Sequence, residues 1–89
     1  MQYGNLYATR GVADQMEKDK EFEQEVLKAL RRYTRYDWGD LCVSDKALND
    51  AAAAGADRVL AAYSTSAGVI WIITEWDRSA TTILFPNEY

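Results

Sequence analysis

The sequence predicts a single small α+β domain, with a short N-terminal strand and two to three helices followed by a three-stranded antiparallel meander (β-α-α-α-β-β-β). Trp- and Ile-rich segments that alternate with a two-residue period occupy Arg58 to Phe85, as half-buried strands do. The middle of the chain instead carries an apolar stripe with helical spacing. The 89 residues suffice for one domain but not for two, so we expect residues 1–89 to form one unit.

The first part of the chain predicts a strand and a short helix. Residues 4–9 include the apolar side chains of Leu6, Tyr7 and Ala8 and are expected to form a first strand. Thr9 is suited to cap a helix that runs from about Arg10 to Lys18. This helix would present an apolar face with helical spacing to the core.

The strongest helical pattern runs from Asp19 to Tyr36. Its apolar residues lie on one face: Phe22, Val26, Leu30 and Tyr33. Acidic residues crowd its start and basic residues its end, so each group opposes the partial charge of its helix terminus. Gly39 is available for a positive φ where this helix ends.

A third helix is predicted from Asp45 to about Ala54, with Ser44 as its N-cap residue. Leu48, Ala51 and Ala52 are expected to face inward. The single cysteine, Cys42, has no basic neighbour in sequence that would activate its thiol, and we expect it to be buried.

Three consecutive strands follow, separated by short turns, which implies antiparallel pairing. Val59 to Tyr63 alternate in the first strand, and Val69 to Trp76 form the second. Both faces of the second strand are apolar, so it should be central. The last strand, Thr81 to Phe85, is expected to be an outer edge open to further pairing.

The composition narrows the classes of function. Fourteen acidic and ten basic residues give a net charge of −4, which argues against a nucleic-acid binder, because phosphate neutralisation dominates that affinity. The chain has no histidine, which excludes histidine-based catalysis and metal binding. Catalysis could then use only carboxylates, tyrosines, arginines or Cys42, and the pattern favours a non-enzymatic protein without cofactors.

Because Cys42 is unpaired and no apolar segment is long enough to span a membrane, we expect a cytoplasmic protein.

Two groups of candidate site residues precede and follow the end of the main helix. Asp40 and Asp37 flank Trp38 and Gly39, and two carboxylates at this spacing could share a cation. The ligand set is incomplete, so a helix-ending turn with Trp38 packed on the core is the favoured interpretation. Arg32 and Arg35, with other basic residues, could contact phosphate or an acidic partner. The preferred interpretation is a solvated helix end whose positive charges offset the helix dipole.

The third candidate group is the turn of Trp76, Asp77 and Arg78, which follows the second strand of the meander. A Trp beside an Arg has the composition of an interaction hot spot. Asp77 is also an ordinary turn former, and Trp76 could seal the edge of the core. Both interpretations remain open.

Three segments, Leu6 to Gly11, Asp37 to Asp40 and Trp71 to Pro86, resemble a family of small proteins encoded on plasmids and conjugative elements of Firmicutes. The resemblance covers nearly the whole chain. It implies an accessory protein of a bacterial mobile element, and it supplies no activity, ligand or catalytic residue.

The order of elements is also similar to that of RelE-like ribosome-dependent RNases. This resemblance would assign roles to Arg58, Arg78 and Tyr63, although such toxins are typically basic. We therefore expect an interaction protein that binds a host or element-encoded protein, with a small RNase toxin as the alternative. A surface that mimics DNA would need more acidic charge than −4. The oligomeric state is not predicted.

Overall fold

The computed structural model describes all 89 residues and has the predicted order of elements. Its helices are α1 (Arg10–Lys18), α2 (Lys20–Thr34) and α3 (Val43–Ala54). Its strands are β1 (Asn5–Ala8), β2 (Val59–Thr65), β3 (Gly68–Thr74) and β4 (Ala80–Leu84), followed by a C-terminal 3-10 turn (Pro86–Glu88). The α+β class is therefore confirmed.

The four strands form one mixed sheet in the order β1-β4-β3-β2. The meander β2-β3-β4 is antiparallel, as predicted, whereas β1 pairs parallel to β4. The expectation that the last strand is an edge is wrong, because β1 covers it. Gly4 permits this pairing: its φ is +63°, and a Cβ there would lie 2.4 Å from the carbonyl oxygen of Arg78. The outermost strands of the sheet are β1 and β2.

The hydrophobic core lies between the helices and one face of the sheet. Alternation in β3 turns Ile70, Ile72 and Thr74 toward the helices, and all three are fully buried. The predicted stripe of α2 meets them, with Phe22 and Tyr33 completely buried. Burying each such apolar side chain contributes about 1.5–3 kcal/mol to stability. No helix of the protein combines the length and apolar character that crossing a membrane requires.

Helix α2 begins and ends within the predicted range. Oδ1 of Asp19 accepts hydrogen bonds from the backbone N–H groups of Glu21 and Phe22, which makes Asp19 the N-cap. The helix ends at Thr34, and Tyr36, with φ of 62°, takes the left-handed conformation that the sequence assigned to Gly39 at the helix end. The ring of Tyr36 stacks on Trp38 with centroids 5.2 Å apart, which helps to stabilise this conformation.

Helix α3 differs most from its prediction. It begins at Val43 with Cys42 in the N-cap position, and the thiol is exposed rather than buried. Leu48 is 69% exposed and Ala51 is also exposed, so of the three residues predicted to face inward only Ala52 is buried. Asn49 faces the sheet instead, because its side-chain amide bonds to the backbone of β2. The alanines of this helix allow the close approach that those bonds require.

The C-terminal residues tie the two ends of the chain together. Oε2 of Glu88 accepts a hydrogen bond from the backbone N–H of Gly11 over 3.0 Å, and Oε1 accepts one from the hydroxyl of Thr9 over 2.6 Å. Thr9 occupies the predicted N-cap position of α1, but the carboxylate of Glu88 supplies the acceptor for the helix N–H group. Tyr89 then packs edge-on against Trp71 on the outer face of the sheet.

Candidate functional site

The outer edge of β2 is closed by the segment that follows α2. The backbone N–H of Ala62 donates to the carbonyl oxygen of Trp38 over 3.3 Å, and the N–H of Asp40 donates to the carbonyl oxygen of Ala62 over 2.7 Å. Between them, Gly39 has φ of +75°, and a Cβ there would lie 1.9 Å from the oxygen of Ala62. Only glycine fits this bridge, so the positive φ predicted for Gly39 is confirmed, and it serves the sheet edge.

Two side chains complete the closure of β2. Nδ2 of Asn49 donates to the carbonyl oxygen of Leu60 over 2.5 Å, and Oδ1 accepts from the N–H of Leu60 at 3.4 Å. The hydroxyl of Ser64 donates to Oδ2 of Asp40 over 2.6 Å. The outward-facing backbone groups of Leu60 and Ala62 are thus satisfied within the chain, and this edge offers little to another strand.

The outer edge of β1 has no such cover. The N–H groups of Asn5 and Thr9 donate to carbonyl oxygens of the β4 chain, at Ser79 and Ile83. Because hydrogen-bonding direction alternates along a strand, the N–H and C=O groups of Leu6 and Ala8 point away from β4, toward solvent. The side chain of Leu6 is 57% exposed.

An apolar groove runs beside this open edge, between β1 and α2. It has a volume of about 250 Å³ and is lined by six residues: Tyr3, Leu6, Leu30, Tyr33, Thr34 and Thr81. Leu6 points into it, because its partner in the register, Thr81, faces the helices. The groove is large enough for an apolar side chain and lies where a strand added beside β1 would place alternate side chains.

A directed chain of buried hydroxyls fixes the floor of the groove. The hydroxyl of Thr81 donates to the carbonyl oxygen of Tyr3 over 2.7 Å, and that oxygen can only accept. Oγ1 of Thr81 therefore accepts from Thr74 over 2.8 Å, and Thr74 accepts from Tyr33 over 2.6 Å. Burial raises the pKa of Tyr33 to about 12, which keeps the phenol protonated as the donor.

The turn predicted as a hot spot divides into a structural part and an exposed part. The guanidinium of Arg78 donates to four backbone carbonyl oxygens, those of Ala52, Gly55, Asp57 and Glu75, and so caps the C-terminal end of α3. Oδ1 of Asp77 accepts from the N–H of Ser79, as a turn former does. Trp76 is 64% exposed, so it does not seal the core.

The candidates near the end of α2 also serve the fold for the most part. Arg32 forms a two-pronged ion pair with Asp37, at 2.8 and 3.2 Å, and this hydrogen bonding lowers the pKa of that carboxyl. Trp38 is buried and donates to Asp50 over 2.8 Å. Arg35 is exposed and has neither a salt bridge nor a hydrogen-bonded side chain. No hydrogen bond or salt bridge joins these residues to the turn at Trp76.

The three residues named for the RNase alternative do not form one site. Arg58 lies over the ring of Tyr89, 4.9 Å from its centroid, on the outer side of the sheet. Tyr63 is buried on the helix side, where its hydroxyl donates to the carbonyl oxygen of Asp37. Arg78 is held at the end of α3, as described above. No three Asp, Glu or Cys side chains lie close enough together to bind a metal ion.

Sequence reasoning missed Leu6 and Ala8 as site residues. Their segment was correctly predicted to be a strand, but its partner lies more than seventy residues along the chain, at β4. The one local signal was Gly4, which takes a positive φ just before the strand.

Comparison with protein-family models, with curated proteins and with solved structures finds no match to this chain.

Proposed function

We propose that this is a non-enzymatic interaction protein that binds an extended segment of a partner protein as an additional strand beside β1. The difference between the two edges of the sheet carries this proposal. The chain closes β2 with a bridge and an asparagine, yet it leaves Leu6 and Ala8 uncovered. Strand addition draws affinity from main-chain hydrogen bonds and specificity from pockets for alternate side chains. The β1 edge and the adjoining groove supply both.

The geometry of the edge supports a short segment as its occupant. Strand β1 has four residues, and Leu6 and Ala8 together offer two outward N–H and two outward C=O groups. The groove accepts one apolar side chain. A stable dimer interface commonly buries about 1,200–2,000 Å² in total, well beyond what a four-residue strand and one groove provide. A linear segment of a partner needs no more than these contacts.

The roles of the polar candidates support binding over catalysis. Arg78 donates hydrogen bonds to backbone carbonyl oxygens, and Arg32 pairs with Asp37. The backbone N–H of Asp40 forms part of the bridge to β2. These groups stabilise the sheet edge and the end of α3. The resemblance to plasmid-encoded proteins supports a setting in which the partner is a host or element-encoded protein and the chain is an accessory of a bacterial mobile element.

A selection from a random linear peptide library tests the proposal. Immobilised wild-type protein is compared with a variant that carries Leu6→Lys and Ala8→Pro. The proline removes an outward N–H without removing a bond to β4, and the lysine places a charge at the groove. Wild type is expected to enrich peptides with alternating apolar residues, and these should bind the variant at least about tenfold more weakly, a loss of about 1.4 kcal/mol.

Three results would contradict the proposal. One is a selection in which no peptide is enriched on wild type. Another is a set of peptides that bind the variant as tightly as wild type, because they would occupy some other surface. A concentration-dependent dimer that protects the Leu6 and Ala8 amides from exchange would assign the edge to a second copy instead.

A further inference from the structure

We infer that the segment bound beside β1 runs antiparallel to it and is apolar on both of its faces, with an aromatic or β-branched side chain opposite Tyr7; this inference rests on the proposed function. The groove contacts only the helix side of an added strand. Tyr7 lies on the other side of β1 and gives that strand a second, separate contact.

The register of the sheet places Tyr7 on the face that carries no helix. Tyr7 pairs with Thr82, whereas the neighbouring pair, Leu6 with Thr81, faces the helices. The side chain of Tyr7 is 53% exposed. Its ring takes part in none of the five aromatic contacts of the protein. The ring is therefore available to an incoming chain.

Backbone geometry brings this ring close to one residue of the added strand. Because the N–H and C=O groups of Leu6 and Ala8 point outward, these residues would form the hydrogen-bonded pairs of an antiparallel ladder. Tyr7 would then form the non-hydrogen-bonded pair between them, in which the Cα atoms lie about 4.5 Å apart and the side chains are closest. Aromatic rings opposite aromatic or β-branched side chains stabilise such pairs.

The open edge lacks the features that usually keep other strands away. Exposed edge strands are commonly protected by charged side chains or by proline, and the four residues of β1 include neither. The neighbours of Tyr7 on the helix-free face, Asn5, Thr9 and Thr82, are also uncharged. A charged residue opposite Tyr7 would therefore lose hydration without gaining an ion pair there.

Three charged residues lie farther across the same face, in a cleft that Thr9 and Thr82 also line, and each has internal contacts. Arg58 lies over the ring of Tyr89 and 3.9 Å from Glu75. These two charges flank β2 and β3, which β4 separates from β1. The carboxylate of Glu88 already accepts three hydrogen bonds.

Strand propensity and self-association do not account for this edge as well as a partner segment does. A tyrosine suits any strand, but propensity does not explain why β1 exposes apolar groups on both faces, with Leu6 at 57% and Tyr7 at 53%. A second copy paired about Tyr7 would place its Ala8 opposite Leu6 and offer only a methyl group to the groove. A segment with a larger apolar residue at that position would fill the groove.

The two contacts together define the pattern of the bound segment. Its residues opposite Leu6 and Tyr7 are both apolar although they face opposite sides, so they stand next to each other in the partner's sequence. Strands that are buried on both faces carry such consecutive apolar residues, whereas half-exposed strands alternate. The partner segment thus has the pattern of a core strand.

The test combines the random peptide library with a double-mutant cycle. Wild type is expected to enrich peptides with Val, Ile, Thr, Tyr, Phe or Trp next to the residue that enters the groove. One such peptide, and a version with serine in place of the residue opposite Tyr7, are measured by fluorescence anisotropy. The serine version should lose about two- to fivefold more affinity for wild type than for Tyr7→Ser. The cycle cancels the effect of serine on the strand propensity of the peptide itself.

A second measurement needs only wild type, so it also decides the matter if Tyr7→Ser folds poorly. In the complex with the recovered peptide, the Hα proton of Tyr7 should give a nuclear Overhauser effect to the Hα proton of the opposed peptide residue, as a non-hydrogen-bonded antiparallel pair requires.

The inference and the proposed function fail in different ways. Enrichment of charged or polar residues opposite Tyr7, equal losses in the cycle or a peptide bound parallel to β1 would overturn the inference. Protection of the Leu6 and Ala8 amides in the same complex would leave strand addition intact. A selection that yields no peptide would overturn the proposed function itself, and the inference with it.

Discussion

The hydroxyl of Tyr33 donates a hydrogen bond to Oγ1 of Thr74 over 2.6 Å, and both side chains are completely buried. This bond joins α2 to β3 and begins the chain of hydroxyls that ends at the carbonyl oxygen of Tyr3. The backbone just before β1 is thereby connected to the core. The open edge and its groove consequently rest on a buried polar network whose donors and acceptors are all matched.

The direction of the hydroxyl chain predicts unequal costs for its two ends. Tyr33→Phe removes one donor to Thr74, which still donates to Thr81, so we expect a loss of about 1 kcal/mol. Thr81→Val leaves both the hydroxyl of Thr74 and the carbonyl oxygen of Tyr3 without a partner, for about 2–3 kcal/mol. Urea unfolding of both variants measures the difference. Equal losses, or the reverse order, would show that the chain does not run in this direction.

Burial of Tyr33 predicts a loss of stability at high pH. The unfolded phenol ionises with a pKa of 10.0, whereas the folded one does so at about 12. Between these values the unfolded state binds fewer protons, so the free energy of unfolding should fall by about 1.4 kcal/mol per pH unit. Below about pH 10 this contribution is constant.

Denaturant unfolding as a function of pH measures this effect, with Tyr33→Phe as the matched control. The variant should lose stability less steeply above pH 10, although Tyr63, whose pKa is also raised by burial, keeps a part of the slope. Identical slopes in the variant and wild type would rule out Tyr33 as the titrating group.

The capping role of Arg78 predicts that substitutions at two residues of one turn have very different effects on stability. Arg78→Met keeps the length of the side chain and removes the guanidinium from all four carbonyl oxygens, of which those of Ala52 and Glu75 keep a backbone donor, so we expect a loss of about 2–3 kcal/mol. Trp76→Ala, at an exposed position, should change stability by no more than about 0.5 kcal/mol. Thermal unfolding compares them. An Arg78→Met protein as stable as wild type would contradict the capping role and leave Arg78 as a candidate for binding a partner.

The bridge that closes β2 predicts that Gly39 cannot be replaced. Gly39→Ala would place a Cβ 1.9 Å from the oxygen of Ala62, so the bridge must open, at a cost of about 3 kcal/mol or more. Gly68→Ala is the control, since it also has a positive φ but meets no atom within 4 Å, and its cost should be about 1–2 kcal/mol. The exposed β2 edge should also promote aggregation of Gly39→Ala alone, measured by light scattering.

Local sequence patterns predicted the elements and most of the buried faces, because periodicity reports which side of a helix or strand is apolar. Phe22, Val26 and Tyr33 of α2 were assigned correctly on that basis. The pattern failed where a polar side chain took over a backbone role. Asn49 faces the sheet because it bonds to Leu60, and no rule of hydrophobic spacing anticipates that.

The other features that could not be predicted from the sequence depend on pairing between residues that are distant in the chain. The position of β1 beside β4 depends on contacts between residues at opposite ends of the chain, so the open edge could not be identified from local signals. The same holds for Arg78, whose carbonyl partners lie up to 26 residues away in the chain. A lone arginine in a turn has the same local pattern whether it caps a helix or binds a partner.

Residue-resolved amide exchange tests the open edge most directly. In the free protein, the amides of Leu6 and Ala8 should exchange rapidly, while the amide of Ala62 on the closed edge should be protected by Trp38. Addition of a peptide recovered on wild type should protect Leu6 and Ala8 and leave Ala62 unchanged. Protection of Leu6 and Ala8 in the free protein, or their continued rapid exchange in the bound state, would contradict strand addition at β1.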